Sequence, residues 1–271
     1  MMSFTRPNVL IFDLDNTLIW DEKSVQEAFE AVCAYAGEAI GGVHAGELQK
    51  FAEAEAERLF PALDAYPFAS SIEVTAHEAM WAKFDQGDHP MLGKLADEAP
   101  LFRREVWRSA LLKAGGREEV AAAFADRLAE RFMSERRARP IVYTETMEAL
   151  EQLSSHYRLA LLTNGDPSLQ QEKIDSINGL ASFFEYTLIS GDFGVGKPHV
   201  SIFRHVMEQM HVTATECAMI GDNPLTDIMG ASEAGIASIW LNRTGKMPHT
   251  RVTPTYEITS LLDIDSLFRS S

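Results

Sequence analysis

Two carboxylates, Asp13 and Asp15, follow the apolar run Val9-Leu10-Ile11-Phe12 in the string Phe-Asp-Leu-Asp-Asn-Thr. Four apolar residues ending in acids read as a buried strand that delivers carboxylates to a sheet edge. Residues i and i+2 of an extended segment share a face, so the two acids are expected side by side and repelling each other. A bound cation, a shared proton, or both would resolve that repulsion. Three later apolar runs also end in polar chemistry. Residues 159–162 lead into Thr163, Asn164 and Gly165. Tyr186–Ile189 precedes Gly191-Asp-Phe-Gly-Val-Gly-Lys197-Pro198, and residues 217–220 precede Gly221-Asp222-Asn-Pro-Leu-Thr-Asp227.

These residue types suit transfer of a phosphoryl group. A phosphate monoester is dianionic and repels a nucleophile, so a catalyst must neutralise charge, align an attacking oxygen and protonate the departing one. Mg²⁺ is a hard cation held by few carboxylates together with waters and phosphate oxygens, and Asp13, Asp222 and Asp227 could furnish its oxygens. Lys197 would be a mobile point charge against the phosphoryl group, while Thr163 and the N–H groups around Asn164 and Gly165 would hydrogen-bond its oxygens.

The elements that must position these groups alternate. Strand-like pieces at Val9–Phe12, 159–162, Tyr186–Ile189, 217–220 and 236–241 take turns with helical stretches near 144–155, 168–176, 199–210 and 224–234. Strand and helix in turn imply right-handed crossovers and a parallel sheet. The expected fold class is therefore α/β, a doubly wound, Rossmann-like parallel sheet whose ligand site lies beyond the carboxyl ends of its strands. Residues 18–139 have another texture: Ala/Glu/Arg-rich stretches with apolar residues at i, i+3 and i+4, punctuated by Gly and Pro. About five helices are expected there, inserted after the first strand. The predicted division is residues 1–17 and 140–271 for the sheet domain and 18–139 for a helical cap, with hinges near Trp20 and Pro140.

Composition bounds the partners. The 271 residues carry a formal charge of −16, which argues against broad binding to nucleic acid or anionic membrane. The N-terminal residues lack the apolar stretch of a signal peptide, and no apolar run spans a bilayer. Cys33 and Cys217 stand far apart in unlike contexts, so neither a disulfide scaffold nor a zinc site built on cysteines is expected. A reducing cytoplasm is the default expectation, with the protein a monomer or homodimer; the acidity does not exclude a small anionic substrate, because local cations and a metal can reverse the field inside a cleft.

The full pattern resembles the haloacid dehalogenase superfamily, in particular its phosphatases with a helical cap after the first strand. The family's Asp-x-Asp-x-Thr is matched by Asp13, Asp15 and Thr17, its Ser/Thr after the second strand by Thr163, its Lys by Lys197, and its Gly-Asp-x-x-x-x-Asp by Asp222 and Asp227. The resemblance implies a Mg²⁺-dependent phosphatase acting on a small phosphomonoester such as a sugar phosphate or nucleoside monophosphate. It implies that Asp13 attacks phosphorus to form an aspartyl-phosphate, and that Asp15 protonates the leaving alcohol and then activates water. It also implies that the backbone carbonyl of Asp15 and the carboxylates of Asp13 and Asp222 hold the metal, with Asp227 acting through water or orienting Lys197. Thr163, Asn164 and Lys197 would bind phosphate, and the cap would close over the substrate. Members that cleave carbon–halogen bonds usually lack the second Asp, so Asp15 favours phosphate esters.

Each residue also has a plain structural reading. Thr163 could cap a helix, Asn164 could shape its loop, and the acids at 222 and 227 could complement a helix dipole. The arginines at 103, 104, 108, 136, 137 and 139 read as solvated helix faces, one of which could meet an anionic substrate tail. A phosphomutase on the same scaffold, a haloacid dehalogenase and a non-catalytic binding protein are the alternatives.

Overall fold

A computed structural model describes residues 6–247, 249 and 252–268. The chain forms two compact units. One comprises the chain up to Trp20, Val142–Asn164 and the chain from Glu172 onward; the other comprises Asp21–Ile141 and Gly165–Gln171.

The first unit is built on six parallel strands: β1 (Val9–Phe12), β2 (Arg158–Thr163), β3 (Tyr186–Ile189), β4 (Cys217–Gly221), β5 (Ala237–Leu241) and β6 (Tyr256–Ile258). Their order is β3-β2-β1-β4-β5-β6, so the winding reverses beside β1, with β4 pairing Phe12 to Ile220. A reversal of this kind opens a crevice at the strand ends, because the connections on either side leave in opposite directions.

The central strands are buried on both faces, and their period of two sorts them into two layers. Leu10, Phe12, Leu159 and Leu161 pack on one side, against Leu150, Leu153, Ile174 and Ile264. Val9, Ile11, Ala160 and Leu162 pack on the other, against Ile202, Phe203 and Val206. The expected doubly wound sheet is therefore present. The short β6 went unforeseen, because three residues centred on Glu257 carry no strand pattern. The stretch 224–228, expected as regular helix, is a wide turn in which the Asn223 carbonyl accepts from both Asp227 N (3.0 Å) and Ile228 N (3.5 Å). Such turns recur at functional sites.

The second unit is helical. It holds α1 (Asp21–Ala39), α2 (Ala45–Leu59), α3 (Tyr66–Ser71), α4 (Ala76–Ala79), α5 (Pro90–Lys113) and α6 (Glu118–Arg137), around a core that includes Phe29, Leu48, Trp107 and Phe132. The remaining helices are α7 (Thr146–Ser154), α8 (Pro167–Asp175), α9 (Ser190–Phe193), α10 (Val200–Gln209), α11 (Met229–Glu233) and α12 (Ile264–Phe268). Among the described residues, no helix is long and apolar enough to cross a membrane. Two arginines expected on solvated faces are buried instead. Arg103 donates to the carbonyl of Ala79 (2.9 Å) and also to that of Ala82, while Arg136 pairs with Asp21 (2.6 Å). These polar partners are what let each guanidinium be buried.

Residues 165–171, expected with the sheet, cluster with the helical unit. Gly165 N–H donates to the Ile72 carbonyl (3.0 Å), and Leu169 joins the helical core. Asp166 begins α8: its Oδ1 accepts from Leu169 N (2.9 Å) and Ser168 Oγ (2.5 Å), and its buried Oδ2 has no hydrogen-bond partner among the described residues. Burial pushes this carboxyl up to about 6, against those two donors and with the charges of Glu78 and Asp85 adding to the rise. The folded chain thus keeps a proton that the unfolded chain releases near pH 4, and stability falls as pH rises through that interval. Asp166→Asn keeps the cap without the charge, so it should flatten that slope and stabilise the protein by about 2–3 kcal/mol above pH 6. Denaturant titrations at pH 4.5 and 7 check this; parallel pH profiles for the two proteins would show that Asp166 is ionised when folded.

Candidate active site

Each strand end in the reversed region contributes one group. Asp13 follows β1, and its N–H continues the ladder onto the Ile220 carbonyl of β4 (2.9 Å). The chain then turns sharply. The Leu14 carbonyl accepts from the N–H groups of Thr17, Leu18 and Ile19, and Asn16 adopts φ 60°, a left-handed conformation that Asn tolerates better than most residues. This turn pins the β4 end as well: the buried Thr17 hydroxyl accepts from Asp222 N (3.1 Å). On its other side the Asp222 carbonyl accepts from the Trp240 indole (2.9 Å). Both backbone groups of Asp222 are therefore held, which aims its carboxylate.

Lys197 is 1% exposed; its ammonium donates to Asp13 Oδ1 (2.6 Å) and to the Leu162 carbonyl (2.9 Å) and forms an ion pair with Asp227 Oδ1 (2.7 Å). Burial works against this ammonium, but Asp13 and Asp227 overcome it and raise its affinity for the proton above the ordinary lysine value. Its backbone is held too. Lys197 N donates to Asn164 Oδ1 (2.8 Å), and Asn164 Nδ2 donates back to the Lys197 carbonyl (3.0 Å). That exchange commits the Asn164 carboxamide to shaping the loop. Gly196 permits it, because a Cβ there would stand 2.8 Å from Asn164 Oδ1. Gly221 is needed for a similar reason: a Cβ at that position would overlap the Asp227 carboxylate.

Ligand oxygens of Asp13, Asp222 and Asp227 lie within 4.8 Å of one another. Burial, then repulsion from Asp13 and Asp227, pushes the Asp222 carboxyl up to about 8, with Lys246 and Lys197 offsetting part of the rise. Among the described residues its carboxylate has no hydrogen-bond partner. With all three carboxylates ionised, the single Lys197 ammonium would leave two negative charges, a charge that the raised Asp222 carboxyl shows the cluster does not carry easily by itself. An all-oxygen donor set with that residual charge fits a hard divalent cation such as magnesium.

The structure brings Asp13, Lys197, Asp222 and Asp227 together, with the buried Thr163 closing β2. Asp15 stands outside that trio of acids: it lies in the turn, and both its carboxylate oxygens meet Lys173 Nζ at 2.9 Å. Lys173 was missed in the sequence reading. Its signal was its register: four residues after Leu169 and four before Ile177, it occupies an apolar position of its helix face.

A family model of haloacid dehalogenase-like hydrolases matches residues 7–235. The chain belongs to this family. This hydrolase is 37% identical over 256 residues to a phosphoserine phosphatase of Thermus thermophilus, covering 94% of the chain and 97% of that protein. It is 28% identical over 275 residues to the N-acylneuraminate-9-phosphatase of Mus musculus, covering 99% and 96%. Among solved structures, the hydrolase YfnB of Bacillus subtilis, determined with bound magnesium, superposes with a TM-score of 0.65 at 22% identity, over 98% of this chain and all of that one. Its full-length relatives are phosphatases, and this hydrolase is an enzyme of the same phosphatase type.

Proposed function

We propose that this hydrolase is a magnesium-dependent phosphomonoesterase working through an aspartyl-phosphate on Asp13. The supporting observation is the buried contact of Asp13 Oδ1 with Lys197 Nζ at 2.6 Å, beside two further carboxylates that leave a divalent charge to be matched. Asp13, Asp222 and the Asp15 carbonyl would hold the metal, with Asp227 contributing through water. Bound there, magnesium would offset the negative charge of the phosphoryl oxygens.

The steps fall to side chains. Lys197 holds one Asp13 oxygen and leaves the other to attack phosphorus. The bond from phosphorus to the ester oxygen breaks as the Asp13–phosphorus bond forms, and Asp15 gives its proton to the departing alkoxide. Asp15 then takes a proton from water, whose oxygen attacks phosphorus. The acyl-phosphate bond breaks, releasing inorganic phosphate and restoring the Asp13 carboxylate. Thr163 and Lys197 bind the phosphoryl oxygens, and Asn164 keeps the Lys197 loop in place.

The names of the full-length relatives favour a small alkyl phosphate, with phosphoserine the first compound to test and N-acylneuraminate 9-phosphate the second. The experiment is free-phosphate release with Mg²⁺ across these two, several sugar phosphates and nucleoside monophosphates. Silence across the panel would overturn the reading. Isomerised sugar phosphate without free phosphate would point to a mutase, and halide released from a 2-haloacid to a dehalogenase. In the same assay, Asp222→Ala should raise the Mg²⁺ concentration for half-activation at least about tenfold. An unshifted metal titration would remove Asp222 from the metal site.

A further inference from the structure

We propose that Lys173 is the positioning residue that aims Asp15 at the leaving group, an inference that rests on the acid–base role of Asp15 proposed above. Lys173 Nζ stands 2.9 Å from both Oδ1 and Oδ2 of Asp15. Its side chain is 4% exposed, whereas the Asp15 side chain is 24% exposed. Lysine is almost never buried to this degree unless paired, so the contact is not an incidental surface bridge.

The geometry distinguishes positioning from blocking. A carboxylate has about four lone-pair sites, and one ammonium bridging both oxygens occupies two of them. One ammonium therefore does not by itself saturate the carboxylate. Gripped through both oxygens, the carboxylate cannot swing about its terminal torsion, which is otherwise broad and soft. Its backbone is fixed independently by the turn around Asn16 and the bridge to Ile19. Turn and lysine together determine where an Asp15 oxygen points. A proton donor helps only when its oxygen lies within hydrogen-bond reach of the leaving atom.

Lys173 extends from the last turn of α8, the helix that follows the β2 loop carrying Thr163. The element behind the phosphate-binding loop thus also supplies the group that orients the acid. Asp13 and Asp15 each carry their own lysine, Lys197 for the first and Lys173 for the second.

The test uses the full chain with Mg²⁺ and compares kcat/KM for two esters. Phosphoserine has an alkoxide leaving group that needs a proton; 4-nitrophenyl phosphate has one that does not. Lys173→Met should lose about 30–100-fold on phosphoserine and less than about 3-fold on the aryl ester, because only acid assistance is damaged. Lys173→Arg keeps the charge and should recover most of the loss. In an Asp15→Asn background, Lys173→Met should cost less than about 3-fold more on either ester, since the residue it positions no longer acts. If Lys173→Met does not fold, Lys173→Gln carries the same comparison. Equal losses on both esters, no loss on phosphoserine, or a full additional loss in the Asp15→Asn background would overturn the inference alone. Should phosphoserine be no substrate, the alkyl ester of the panel that the chain hydrolyses takes its place; no phosphate release by the unmutated chain from any ester of that panel would overturn the proposed function itself.

Discussion

Asp13→Asn should yield a folded protein whose turnover of its phosphomonoester is at least about 10⁴-fold slower than that of the parent, the scale on which removal of a covalent nucleophile acts. An amide has the size of the carboxylate but does not form the acyl-phosphate. The fold should survive, because Lys197 keeps Asp227 at 2.7 Å and the Leu162 carbonyl at 2.9 Å. Removing the Asp13 charge also relieves repulsion felt by Asp222 and Asp227. Three measurements follow: kcat from phosphate release, thermal unfolding, and the mass of enzyme quenched during turnover. The parent should carry one added phosphoryl group and the variant none. Near-normal kcat in a folded Asp13→Asn protein would overturn the nucleophile assignment.

Removing the Lys197 charge should damage activity and stability together. Lys197→Met leaves Asp13, Asp222 and Asp227 clustered with no ammonium between them. Breaking a buried ion pair from one side typically costs about 3–5 kcal/mol, and this lysine serves two carboxylates. The expected loss in kcat is about 10²–10³-fold, since a cation aimed at developing charge in a dry site acts on that scale. Lys197→Arg should fare little better. Its flat guanidinium does not place three donors around one point as an ammonium does, and the lysine is almost wholly buried. Magnesium supplies a second readout. In the methionine variant it should restore more stability than in the parent, because it replaces neutralisation that the lysine provided. Denaturant titrations with and without Mg²⁺ decide this. A metal-free Lys197→Met protein as stable as the parent would show that the cluster is not under electrostatic load.

The order of residues along the chain was enough to locate this site on the sheet. Strand periodicity is local, and so is the change from apolar run to polar loop, so Asp13, Thr163, Lys197 and Asp222 could each be assigned to a strand end before any packing was known. Gathering them needed only the rule that parallel strands present their carboxyl ends to one edge. The helical character of residues 18–139 was equally legible, because propensity and i, i+3, i+4 spacing need no distant partner.

Partnership between side chains was not legible, because it depends on how each helix is rotated against its neighbours. Lys173 meets Asp15 across 158 positions, a contact that the rotation of α8 brings about. Asn164 could equally have faced a ligand; the approach of the Lys197 backbone, possible only beside Gly196, commits its carboxamide to the loop. Arg103 and Arg136 look like surface residues by type, and only packing shows the carbonyls and the acid that hold them inside. Types and spacings named the chemistry of this protein, while the tertiary structure determined which charge answers which, because electrostatic pairing depends on distance and burial rather than on place in the chain.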